Sequence, residues 1–211
     1  MRCTASATAL LVLLTSGLRA QTARPAPPPA APASATPRPV PPAAQQIAAA
    51  VLPLPDSMRA GARIWGYAPD GSFVELRAGT GPMTCIADDP KDNRFHVACY
   101  HNSMEPFMAR GRELRAQGKD ANAVDSIRAA DVLGGRVHLP STAGLYSLTG
   151  AASVYDAATN TVHGARPLFV VYLPFATEAS TGLSAKPVQG APWLMHPGQP
   201  GAHVMFVPEM R

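Results

Sequence analysis

The sequence predicts an α+β fold, a mostly antiparallel sheet packed by two or three helices, in one globular domain over residues 43–211. Three observations carry this. Short strand-like runs lie on both sides of a single block of two helical segments. Strict alternation of strand and helix, the pattern of a doubly wound sheet, is absent. Pro69-Asp70-Gly71 separates two apolar runs, and it is a turn signal with a mechanism: proline presets φ and glycine tolerates positive φ.

The N-terminus reads as a secretory signal peptide over residues 1–20. Met1-Arg2 is basic, residues 5–14 are apolar, Thr15-Ser16-Gly17 breaks the run, and Ala20 precedes the expected cut. The run falls short of the roughly 18 apolar residues that span a bilayer, so no anchor remains after cleavage. Cys3 precedes the apolar core and is not a lipidation site. Export to the periplasm or the extracellular space is therefore expected. Residues 21–42 are a Pro/Ala-rich tether, which lacks the N–H groups for a helix or sheet ladder. At about 3 Å per residue it reaches roughly 60 Å. It reads either as a spacer from a wall or membrane or as a neutral disordered segment.

Of the 18 basic residues, Arg2, Arg19, Arg24 and Arg38 belong to the leader and tether, and removing those four leaves 14 against 14 acidic ones. A near-neutral domain argues against nucleic acid, which needs a clustered basic surface. About 170 residues remain, enough for one core. Cys85 and Cys99 form an even pair in an oxidising compartment and are expected to be bridged; two free thiols are the alternative.

A short helix is expected at 43–52, stopped by Pro53 and Pro55, then a hairpin from ARIWGYA and SFVELRA, then strands MTCIA and FHVACY joined by the polar DDPKDNR. A helix over 104–117 takes Ser103 as its cap, Pro106 in its first turn and Gly118 at its end, with Met104, Phe107, Met108 and Leu114 on one face. A second helix opens at Asp120 or Asn122, turns Val124, Ile127 and Leu133 inward and stops at Gly134-Gly135. RVHLP, LYSLTG and SVYDA are strand candidates. LFVVYLP reads as a central strand buried on both faces, and GAHVMFVP as a closing strand.

Three runs, FHVACYHNSMEPFMARGRELRAQGK, LFVVYLPFATEASTGL and GAPWLMHPGQPGAHVM, resemble segments of a group of exported bacterial proteins of uncharacterised function. The resemblance spans residues 83–207. It implies a shared fold and export, and it transfers no catalytic residue.

Several polar clusters are candidate sites. His96, His101 and Glu105 carry the donor types that suit zinc, although period two puts His96 and His101 on opposite strand faces. A reactive thiol at Cys99 beside His101 would require Cys99 to be unbridged. Trp193, His196 and His203 flank the turn-rich PGQPG loop, a position suited to a ligand or metal. Arg110, Arg112 and Arg115 line one helix and form a candidate anion site, against the plainer reading of a solvated face. GxSxG, HExxH, GxxxxGK[ST] and CxxC are all missing from the sequence, which disfavours the hydrolase, P-loop and thioredoxin-like signature families. The expected function is noncatalytic binding of a small ligand or cell-envelope component. The alternatives are a metal-assisted hydrolase using the clustered histidines and a purely structural interaction protein.

Overall fold

Residues 38–188 and 190–208 are described by a computed structural model; the expected signal peptide and most of the tether lie outside the described residues. Helix α1 (Ala43–Ala50) starts after Pro42, whose fixed φ suits a helix entry. It is followed by α2 (Asp56–Arg59) and the hairpin of β1 (Arg63–Tyr67) and β2 (Phe73–Arg77). The Pro-Asp-Gly signal closes that hairpin: Gly71 takes φ 80°, and its N–H donates to the Ala68 carbonyl at 2.8 Å. Strand β3 (Met83–Ile86) runs parallel to β1, and β4 (Arg94–His101) antiparallel to β3. After a 3₁₀ turn come α3 (Glu105–Ala116) and α4 (Ala121–Leu133). The chain continues through β5 (Ala143–Ala151), the small hairpin β6 (Tyr155–Asp156) and β7 (Thr161–Val162), and β8 (Arg166–Tyr172). It ends with α5 (Glu178–Thr181), β9 (Trp193–Met195) and β10 (His203–Phe206).

Eight strands form one sheet in the order β2-β1-β3-β4-β5-β8-β10-β9. Every neighbouring pair is antiparallel except β1 with β3, so the α+β reading holds. Strand alternation divides the core between two faces. Ile64, Cys85 and Cys99 pack with Ala50 and Leu54 beneath α1. On the other face Tyr100 and Ala143 pack with Met104 and Phe107 of the α3 segment. Each fully buried large side chain contributes about 1.5–3 kcal/mol of transfer energy. Cys85 and Cys99 stand opposite one another in the β3–β4 register and are bridged.

The end of the tether is part of this structure. The Arg38 N–H donates to the Pro90 carbonyl at 2.9 Å, and its guanidinium pairs with Asp88 at 2.8 Å and donates to the Asp89 carbonyl at 2.9 Å. Gln46, a buried polar residue of α1, is satisfied by both backbone groups of Tyr67 at 2.8 Å. These contacts fasten residues 38–50 to the strand ends.

Several local expectations differ from the structure. His101 rather than Ser103 caps the turn before α3, its Nδ1 accepting the Ser103 N–H. RVHLP is not a strand: the N–H groups of Arg136 and Val137 return to the Asp131 carbonyl, which extends the end of α4 as a loop. Leu133 is 70% exposed, and the inward positions there belong to Arg128 and Asp131. LFVVYLP forms β8, but Val171 is 43% exposed because α1 packs mainly over β1, β2 and β4. The closing strand β10 is internal, with β9 outside it at the edge.

Candidate functional site

Helix α4 organises the site. Asp120 caps it by accepting the Ala123 N–H at 2.9 Å, a cap of the kind that contributes about 1 kcal/mol. Its inward stripe carries Val124, Arg128 and Asp131. Arg128 is only 9% exposed. Its guanidinium lies 4.1 Å over the Phe107 ring, and it donates to Asp125 at 2.6 Å. Its Nε is buried with no hydrogen-bond partner among the described residues. Gly111 of α3 makes the room, since a Cβ there would stand 3.2 Å from one Arg128 terminal nitrogen. A buried cation with unused donors is costly unless something else meets them.

Beside Arg128 lies an open cleft of about 600 Å³. One wall is α4, through Asn122, Asp125 and Ser126; the other is the β9–β10 loop, through His196, Pro197 and Gln199. Tyr172 and His203 line it from β8 and β10, where the ladder pairs them directly. Their rings are 5.0 Å apart, those of His196 and His203 5.6 Å, and those of Phe107 and Tyr172 6.2 Å. His203 Nδ1 donates to the Gly201 carbonyl at 2.8 Å, so the neutral ring leaves Nε2 as an acceptor. Burial holds the His203 pKa below its ordinary value, and neighbouring His196 pushes the same way. Burial also raises the Tyr172 pKa. Both groups are therefore neutral at pH 7. His196 adopts φ 53°, the left-handed conformation that histidine tolerates better than most residues. The loop is held by the Gly198 N–H on the Ala176 carbonyl at 2.7 Å and the Phe175 N–H on the Gln199 carbonyl at 2.9 Å.

Of the residues singled out from sequence, His196 and His203 meet in this cleft. Most of the others are engaged elsewhere. His96 Nδ1 contacts Thr149 Oγ1 at 2.7 Å, and His101 Nδ1 contacts Ser103 Oγ at 2.8 Å. Glu105 accepts from Tyr100 and from Arg112, both at 2.5 Å; burial and this carboxylate raise the Tyr100 pKa. Trp193 opens the edge strand β9, with its Nε1 buried and unpartnered among the described residues. Cys99 is bridged, which removes the free thiol that the Cys99–His101 reading requires. Among the described residues no three His, Cys, Asp or Glu side chains stand close enough to share a metal ion.

The three helix arginines also separate. Arg110 pairs with Asp131 at 2.7 Å and Glu113 at 3.1 Å, and Arg112 with Glu105. Arg115 instead reaches toward Arg128: one terminal nitrogen of each lies within 3.4 Å of the point a Gly111 Cβ would occupy. Desolvation, then the Arg128 charge, lower the Arg115 pKa.

Sequence reasoning missed Arg128, Asp125, Tyr172 and Phe107 as site residues. One signal was present: Val124, Arg128 and Asp131 share one helix face at i, i+4 and i+7, so charged residues occupy an otherwise apolar stripe. Comparison with protein-family models, with curated proteins and with solved structures finds no match to this chain.

Proposed function

We propose that this chain is an exported, noncatalytic ligand-binding domain whose site is the cleft between α4 and the β9–β10 loop. The observation that carries the reading is Arg128, nine-tenths buried with an unpartnered Nε, at the edge of a cavity of about 600 Å³. That volume suits a small molecule, and aromatic walls with a few convergent polar groups are the usual lining of such a site. Export is supported by the leader and by the Cys85–Cys99 bridge, a bond that persists in oxidising compartments. No helix among the described residues is long and apolar enough to cross a membrane. On this reading the tether ends at the Arg38 clasp and carries the domain away from its attachment point.

The metal-assisted alternative calls for at least three of His96, His101, Glu105, His196 and His203 to converge; His196 and His203 stand together, and among the described residues no third such side chain joins them. A purely structural role accounts for the stacking of Arg128 on Phe107 and its pairing with Asp125 but not for the unpartnered Nε beside a cavity.

The test is a mixed library of neutral and anionic fragments, followed by amide chemical shifts of the full chain. Shifts clustered on Asn122, Ser126, Gln199 and His203 support the reading. Shifts scattered elsewhere, or fragments consumed catalytically, overturn it.

A further inference from the structure

Resting on the cleft as the binding site, we infer that its ligand is a small aromatic oxyanion, a carboxylate or phosphate ester. Arg128 meets the anionic group, Arg115 adds positive charge from beside the cleft, and the surrounding rings contact the aromatic body.

Charge accounting points to an anion. Asp131 is taken by Arg110 and Arg136, and Glu105 by Arg112. Asp125 neutralises one terminal nitrogen of Arg128 and is the acid lining the cleft. Arg115 has no carboxylate within ion-pair distance among the described residues, in contrast to Arg110 and Arg112. Two guanidinium groups crowd over Gly111 against one carboxylate, leaving an uncompensated positive charge. A metal cation would be repelled there. An oxyanion gains charge-assisted hydrogen bonds, which are roughly twice as strong as neutral ones.

The shape of the site selects the rest of the molecule. Arg128 lies over the Phe107 ring, and with its Nη2 given to Asp125 its other terminal nitrogen is left for a carboxylate or phosphate oxygen. Tyr172, His196 and His203 add three more ring surfaces around the same space, and His203 Nε2 offers an acceptor for a ring hydroxyl.

The probes are benzoate, phenyl phosphate and the neutral isostere benzamide. Each is titrated against the full chain and its Arg115→Gln variant by calorimetry, with amide shifts locating the contact. Arg115 is exposed, so this change leaves the fold intact where Arg128→Met could disrupt it. We expect benzoate or phenyl phosphate to bind about tenfold more tightly than benzamide, and Arg115→Gln to reduce that difference by about threefold while leaving benzamide unchanged. The tighter of the two anions identifies the headgroup. Benzamide binding in the cleft as tightly as benzoate overturns the anion inference and leaves the cleft reading standing; an anion preference undiminished in Arg115→Gln overturns the assignment of the second charge to Arg115. If no probe and no library fragment perturbs the cleft amides, both readings fall.

Discussion

Reducing the Cys85–Cys99 bridge is a single covalent change that removes no atom from the core, which makes its cost calculable. The two cysteines are separated by 14 positions, and closing a loop of about that length removes about 3 kcal/mol of unfolded-chain entropy on the polymer model. Both side chains are fully buried beneath α1, so the reduced thiols keep most of their packing. One small offset follows from the structure. Cys99 Sγ lies 3.2 Å from the Ala50 carbonyl; a bridged sulfur has no proton, so this is a packing contact, but a thiol could donate a weak hydrogen bond there. The net loss is then about 2–3 kcal/mol. At about 2–4 °C per kcal/mol for a domain of this size, the thermal midpoint falls by roughly 5–10 °C. The measurement is thermal unfolding of the full chain by circular dichroism with and without reductant, with alkylation of the Cys85 and Cys99 peptides confirming reduction. A midpoint shift below about 2 °C in the verified reduced protein would refute the account, because the unfolded ensemble would then not be constrained as the model requires.

Two further predictions concern the cleft and the tether. His203 is half-buried beside Tyr172, His196, Asp125 and Arg128 with its pKa lowered by desolvation, so the unfolded chain takes up the proton first. Its contribution to stability is present above the unfolded value of about 6.5 and is lost as pH falls through the folded value. Urea unfolding at several pH values should show a smaller loss of stability on acidification for His203→Gln than for the parent, and equal losses would contradict this. Arg38→Ala removes the ion pair with Asp88 and the donation to Asp89. Discounted for partial exposure, this should cost about 1 kcal/mol, a drop of about 2–4 °C in melting temperature; an unchanged midpoint would show the clasp to be energetically idle.

Much of the local structure was legible in the sequence. Gly71 and Gly118 sit at the positive-φ positions that their turns demand. The apolar spacing of Met104, Phe107 and Leu114 identified the buried face of α3. The cysteine pair was readable from compartment and spacing. The candidate site was half legible: His196 and His203 are in the cleft, and Arg115 is beside it. The partner that matters most, Arg128, was hidden because its residue type predicts exposure. Its burial depends on Phe107, Gly111 and Asp125 all being in place.

The chain by itself determined the Pro-Asp-Gly turn, the glycine-stopped ends of α3 and α4, the inward face of α3 and the pairing of Cys85 with Cys99, because backbone sterics, capping and periodicity act over a few residues. Only the tertiary structure decided that β3 lies parallel to β1, that β9 adds outside β10, and that α4 faces the ends of β8 and β10 across a cleft. Those outcomes turn on which distant apolar surfaces pack together, and no short stretch of sequence carries that energy.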